Sequence, residues 1–330
     1  MENKRYVHEL PREAGITAPL PLTGCPFTAQ KKQRLHILAL GDVGTTLLIG
    51  LRLLGAADIE SIGICDLNEK NLSRLEMEIN QIRYPFAGQG TEPLLPPVDI
   101  VQEDRLFDCD VFVFCASKGV PPLEAQGDVR MAQLAANRGL IRHFAALAKA
   151  AAYRGFVCIV SDPVDPLCAA FLDASGLKPW QIQGYGLGVM NARACYYAEK
   201  DGRFTHYLTA GRAFGPHGAD LVIADSVTAY DDALSRKLTG QVVQANMRVR
   251  ELGYKPYIAP ALSSAALSIL LSLRGHWHYG SVYLGDAAKG AFFGVKNRFT
   301  PAGIEYEDLP LCQTLYERLQ TAYMNLCALR

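Results

Sequence analysis

A chain of 330 residues, 49% hydrophobic and 20% charged, has room for two lobes around a large core and the composition of an ordinary soluble protein. Its 33 basic residues balance 33 acidic ones, which removes the net field that would draw it to nucleic acid or an anionic membrane, and no apolar run is long enough to span a bilayer. Nine cysteines, an odd number scattered without a CxxC or other metal-ligand spacing, argue against a disulfide framework or a metal centre and for a reducing cytoplasm.

Residues 1–33 hold four prolines, begin with charge and lack the apolar core of a signal peptide. They are expected to form an extended arm lying on a neighbouring subunit. Leu35 to Leu38 predicts a buried strand that runs into a turn containing Gly41, Val43 and Gly44. Leu47, Leu48, Leu51 and Leu54 then recur at helical spacing, and Gly55 is placed to stop the helix. A second β-rich run, Ile59 to Ile64, leads to Asp66, which lies 25 residues after Gly41.

Strand, glycine turn, helix, strand and acidic residue in that order is the layout of a dinucleotide-binding βαβ unit. Glycine allows backbone N–H groups to approach a pyrophosphate at a helix N-terminus. Asp66 would hold the adenosine ribose hydroxyls and repel a 2′-phosphate, which points to NAD rather than NADP. Gly41, Val43, Gly44 and Asp66 are therefore the expected cofactor cradle. Two residues depart from the pattern: Ala39 stands where the first glycine belongs, and Asp42 brings a carboxylate to the pyrophosphate position. An α/β unit that binds no nucleotide is the alternative reading of this stretch.

Further along, Glu69 to Ile82 has helical period, and Val98 to Val101, Val111 to Cys115 and Phe156 to Val160 read as strands. Between the last two, Arg130 to Arg154 is a long alanine-rich helix. Alternating strands and helices predict a doubly wound parallel sheet. The expected division is an arm at 1–33, a Rossmann domain at 34–183 and an α+β substrate domain at 184–330.

The stretch from Ser161, SDPVDPLCAAFLDASGLKPWQIQGYGLGVMNARACYYAE, resembles the lactate and malate dehydrogenase family, whose members carry a VxNPVD turn, then SGLP, then GxGTxLDxxRxR. TAGRAFGPHGADL is similar to that family's G-[EH]-H-G-[DN] segment, and GDVRMAQLAANRGLI to its loop-to-helix element with an arginine seven residues before an asparagine, here Arg130 and Asn137. GAFFGVKNRFTPAGIEYEDLPL is similar to its late hairpin. The resemblance implies an NAD-dependent oxidoreductase, usually a homodimer or homotetramer, acting on a small molecule. It implies that His217 exchanges a proton with the substrate, that Arg130 closes over it and polarises its carbonyl, and that Asn137 belongs to the cofactor site.

Three positions depart from the family. Its histidine-orienting aspartate falls on Met190, the second arginine of LDxxRxR, taken as the carboxylate anchor, falls on Cys195, and the asparagine of NPVD becomes Asp162. Asp162 is the candidate to replace the missing aspartate as the partner of His217. Six residues before Arg130, at the position that sets specificity in the family, stands Glu124. Glu124, Asp162 and the lost anchor at Cys195 together exchange positive for negative charge in the pocket, so the expected substrate is a carbonyl, alcohol or imine other than lactate or malate. A catalytically silent paralogue serving as a binding or regulatory protein is the competing expectation.

Overall fold

Apolar runs too short for helices become strands, and the helices between them cover both faces of one sheet. The computed structural model describes residues 4–27, 31–118, 129–254 and 259–330, with only the backbone of 129–132. A single turn, α1 (Leu10–Glu13), precedes β1 (Gln33–Leu38), α2 (Asp42–Leu54), β2 (Ile59–Cys65), α3 (Glu69–Asn80), β3 (Val98–Ile100) and β4 (Val111–Phe114). Then follow α4 (Val129–Ala150), β5 (Phe156–Ile159), α5 (Val164–Ser175), β6 (Ile182–Gly184), α6 (Leu187–Lys200), α7 (Tyr207–Ala210), β7 (Arg212–Phe214) and β8 (Val222–Ala224). The chain ends with α8 (Asp232–Val243), α9 (Ala245–Glu251), α10 (Ala261–Ser264), α11 (Ala266–Leu273), β9 (His278–Gly285), β10 (Gly290–Thr300), β11 (Gly303–Tyr306) and α12 (Gln313–Ala328).

The parallel strands lie in the order β3-β2-β1-β4-β5-β6, the doubly wound arrangement in which ligands bind beyond the strand carboxyl ends where the order reverses, between β1 and β4. All four residues of both β4 and β5 are buried, as expected for strands covered on both faces. Antiparallel β9, β10 and β11 extend the sheet from β6 through the Gly184–Ser281 pairing, and β7 with β8 forms a separate ribbon. The expected division at 183/184 falls inside β6.

Helices α4 and α5 bury Leu134, Ile141, Phe144, Leu167 and Phe171 on one face, while α2, α11 and α12 bury Leu47, Leu51, Ile269, Leu315 and Leu319 on the other. Helix α4 stops at Ala150, short of the expected Arg154, because Ala152 takes a φ of 48° and turns the chain toward β5. No helix among the described residues is long and apolar enough to cross a membrane.

The expectation for the N-terminal arm is corrected. Arg5 pairs with Leu311, Leu20 donates its N–H to the Gly285 carbonyl at 2.6 Å, and Ile304 donates to the Leu22 carbonyl at 3.0 Å. Val7, Leu10 and Ile16 are buried. The described part of the arm therefore packs on its own chain, where its apolar side chains find a local partner.

Candidate active site

The glycine turn packs tightly despite its missing glycine. Ala39 holds a φ of 71°, the left-handed region that costs a residue with a Cβ about 1–2 kcal/mol. A Cβ on Gly44 would lie 2.0 Å from the Ala39 carbonyl oxygen, so a glycine there lets α2 start directly against the end of β1. A Cβ on Gly41 would meet nothing within 4 Å, which leaves the space before α2 open. Val43 is half-buried behind it. Asp66, just past β2, accepts the Leu40 N–H at 2.6 Å and the Asn68 N–H at 2.8 Å, which fixes its carboxylate beside the turn. Asp42 is the first residue of α2 and is exposed.

Asn137 sits between the segment after β4 and the turn after β5. It is fully buried, its Oδ1 accepts the Lys118 N–H at 2.9 Å, and its Nδ2 donates to the Asp162 carbonyl at 2.9 Å and Ser117 Oγ at 3.3 Å. With both ends of the amide engaged by protein, this side chain ties the segment after β4 to the turn after β5. Its work is to hold Asp162 in place.

That turn and the loop after β7 bring two side chains together. His217 Nδ1 lies 3.0 Å from Asp162 Oδ1, with the histidine side chain 20% exposed and the aspartate 50%. Gly186, at the start of α6, permits the close approach, since a Cβ there would lie 2.8 Å from His217 Cβ. Burial lowers the His217 pKa, but the charge and hydrogen bond of Asp162 outweigh it and hold the imidazole above its ordinary value. Three positions after Asp162, Asp165 is buried, accepts a hydrogen bond from Ser281 Oγ, and has its carboxyl pushed up to about 6 by burial.

A cavity of about 440 Å³ opens beside this pair, lined by His217, Asp162, Asp165, Met190, Arg193 and Asp220 among others. Met190 is among the residues lining it. Cys195 does not line it; that side chain packs against the buried cluster around Leu187, Ala194 and Phe204. The cation on this face of α6 is Arg193, which the motif reading passed over. It sits three residues after Met190, close to one helical turn, and helical spacing alone puts both on one face while turning residue 195 away. Its Nη2 donates to Asn246 Oδ1 at 2.6 Å and its Nη1 to Met190 Sδ at 3.8 Å, which orients the guanidinium. Asp165 and Asp220, the latter held by Asn325 Nδ2 at 2.9 Å, are acidic lining residues that sequence reasoning also missed. Arg130 falls in the first turn of α4, but its side chain lies outside the described residues, as does the whole of Glu124.

No family model matches the chain. Curated relatives include an L-lactate dehydrogenase of Treponema denticola, 29% identical over 200 residues that cover 61% of this chain and 59% of that protein. Another, from Mesomycoplasma hyopneumoniae, is 26% identical over 232 residues and 68% of each chain. The chain thus spans less than two thirds of the length of the first of these relatives. Among solved structures, a minor L-lactate dehydrogenase from Enterococcus mundtii superposes with a TM-score of 0.72 at 18% identity, covering 90% of this chain and 97% of its own. The malate dehydrogenase of Archaeoglobus fulgidus in complex with NADH gives 0.70 at 18%, covering 90% and 98%. These structures share the fold, and the sequence relatives and the histidine loop carry the kinship further. The chain is therefore similar in sequence to L-lactate dehydrogenases and shares the fold of lactate and malate dehydrogenases.

Proposed function

We propose that the chain is an NAD-dependent oxidoreductase that interconverts a small carbonyl or imine with its alcohol or amine, with His217 as acid and base. The observation that carries this reading is the Asp162–His217 hydrogen bond beside the cavity. A carboxylate on Nδ1 fixes the tautomer and leaves Nε2 to exchange a proton with the substrate oxygen or nitrogen. Asp162 so does the work of the aspartate that Met190 has displaced. A bound nicotinamide supplies the hydride acceptor or donor. The cradle residues fit such a group: N–H groups at the start of α2 face open space before Gly41, and Asp66 retains lone pairs for ribose hydroxyls and disfavours a 2′-phosphate. Arg130 is assigned the polarising role by its position in the motif. Assembly as a homodimer or homotetramer in the cytoplasm completes the reading.

Arg193 is the group in the cavity suited to a substrate carboxylate. Its presence removes the argument that a lost anchor at Cys195 excludes monocarboxylates. Asp162, Asp165 and Asp220 in the same cavity oppose a second carboxylate, so the substrate class is a carbonyl compound with at most one acidic group, and oxaloacetate is disfavoured. Arg193→Gln is expected to lower kcat/KM for an oxo-acid substrate by roughly 10- to 100-fold, the value of a charge-assisted hydrogen bond, whereas Cys195→Ala changes it little. Equal effects of the two substitutions in steady-state assays would reject Arg193 as the anchor.

Cofactor binding tests the reading before any substrate is known. Calorimetric titration is expected to give saturable NADH binding, and its absence at millimolar concentration would favour the silent paralogue. Asp42 lies in the first helical turn where a pyrophosphate would rest, so Asp42→Asn is expected to tighten NADH by about threefold, corresponding to a helix-end charge interaction of about 0.3–1 kcal/mol. Weaker binding by the variant in the same titration would place the pyrophosphate elsewhere.

A further inference from the structure

Far from the catalytic pocket, the other end of α2 holds an arginine in an unusual setting. Arg52 follows Gly41 by eleven residues, roughly 16 Å along the helix. It is only 4% exposed, yet its hydrogen bonds run to two backbone carbonyls, Nη1 to Pro96 and Nη2 to Ile82 at 3.2 Å. Nε is buried with no partner. Two of five N–H groups are thus accounted for by protein. A buried guanidinium normally faces a carboxylate, because an uncompensated charge in a low-dielectric interior is costly. Among the described residues no carboxylate offsets this one. Burial is the main influence lowering its pKa, and the charge of Arg83 lowers it further.

Both arginines line a separate cavity of about 170 Å³, walled by Asn80, Tyr84, Leu94 and Pro97. Asn80 is fixed by bonds to the backbone of Val98, with its Nδ2 on the carbonyl at 2.8 Å and its Oδ1 accepting the N–H at 3.1 Å. That wall is therefore anchored to β3, and Arg52 pins the 82–96 connection over the end of α2. We propose that this cavity is a binding site for a small oxyanion, a phosphate or carboxylate group, held by Arg52 and Arg83. A guanidinium fork presents two parallel donors to either group, and a second arginine at the mouth supplies the remaining charge. The occupant neutralises the buried charge and clamps α3, the 82–96 connection and α2, whose other end forms the glycine turn. This site is independent of the catalytic reading.

The test uses the full chain carrying Arg193→Gln, which removes the pocket arginine as a competing anion site. Sodium phosphate and sodium succinate are titrated separately while sodium chloride holds ionic strength constant, and melting temperature is followed. A saturable rise is expected, about 5 °C at a concentration 100 times Kd. Adding Arg83→Gln, a change at an exposed side chain, is expected to weaken the anion at least tenfold; Arg52→Lys, which keeps charge but loses the fork, is expected to weaken it as well. A response to phosphate alone assigns a phosphoryl group, and a response to succinate assigns a carboxylate. No saturable response to either anion, or an unchanged midpoint in Arg83→Gln, overturns the proposal.

Discussion

Replacing Asp162 with asparagine is expected to lower turnover by about 10³- to 10⁴-fold while leaving NADH affinity within a factor of two. The size follows from the task assigned to the carboxylate: an amide can present its N–H to Nδ1, which selects the wrong imidazole tautomer, and it cannot stabilise the imidazolium. The pH profile supplies a second readout. Burial lowers the His217 pKa, and Asp162 more than restores it; without that carboxylate, burial and the charge of Arg193 remain, opposed only by the smaller influence of Asp165. In the reductive direction the protonated imidazole is the active form, so activity falls as pH rises through its pKa. That limb is expected to move at least one pH unit toward acid in the variant. Stability follows the same sign: the pair contributes fully below the ordinary histidine pKa, and the contribution fades as pH rises through the raised one. Undiminished turnover, or an unshifted limb, would remove Asp162 from the mechanism.

The parts of the fold that were legible from sequence are those where one residue type has one physical use. The runs at Leu35, Val111 and Phe156 lie at the centre of the parallel sheet because strands covered on both faces must be apolar throughout. Gly44 stands out for the same reason, since a side chain cannot fit against Ala39. The proximity of Asp162 and His217 was reachable from two motifs with complementary chemistry. Legibility failed where the direction of a side chain decides its use. Arg193 and Cys195 differ by two positions, and helical spacing from Met190, which matching motifs by sequence position ignores, puts the first on the cavity face and turns the second away. Motif position does not report burial either: Asn137 is fully buried and bonds the Lys118 N–H and the Asp162 carbonyl inside the protein. The N-terminal arm was misplaced because its apolar residues identify a packing segment and leave the surface it packs on unspecified. Arg52 carried no sequence signal, since one arginine on an amphipathic helix ordinarily faces water.

Two alanine substitutions separate the fold of the glycine turn from its use, and they are expected to fail in different ways. At Gly44 the new Cβ would stand 2.0 Å from a backbone oxygen, a contact that only backbone movement relieves. Overpacking costs about 1–3 kcal/mol, with a backbone contact this close at the upper end, and at roughly 2 °C per kcal/mol the melting temperature of Gly44→Ala is expected to fall by about 6 °C. NADH affinity falls with it, because α2 can no longer start against β1. Gly41 has a φ of −66° and a ψ of −166°, an extended conformation open to any residue, and its Cβ would meet nothing. Gly41→Ala is therefore expected to leave the melting temperature within about 1 °C, since surface changes of this kind stay within ~0.5 kcal/mol. Its methyl group would nevertheless occupy the space through which a pyrophosphate approaches the N–H groups, and calorimetry is expected to show NADH binding weakened by more than tenfold. If Gly41→Ala binds NADH as the parent does, the open space before α2 is not the cofactor cradle. If Gly44→Ala is as stable as the parent, the close approach of α2 to Ala39 is not a constraint on this turn. The contrast between a glycine needed for packing and one needed for access is what a working dinucleotide site requires and what a vestigial one has no cause to keep.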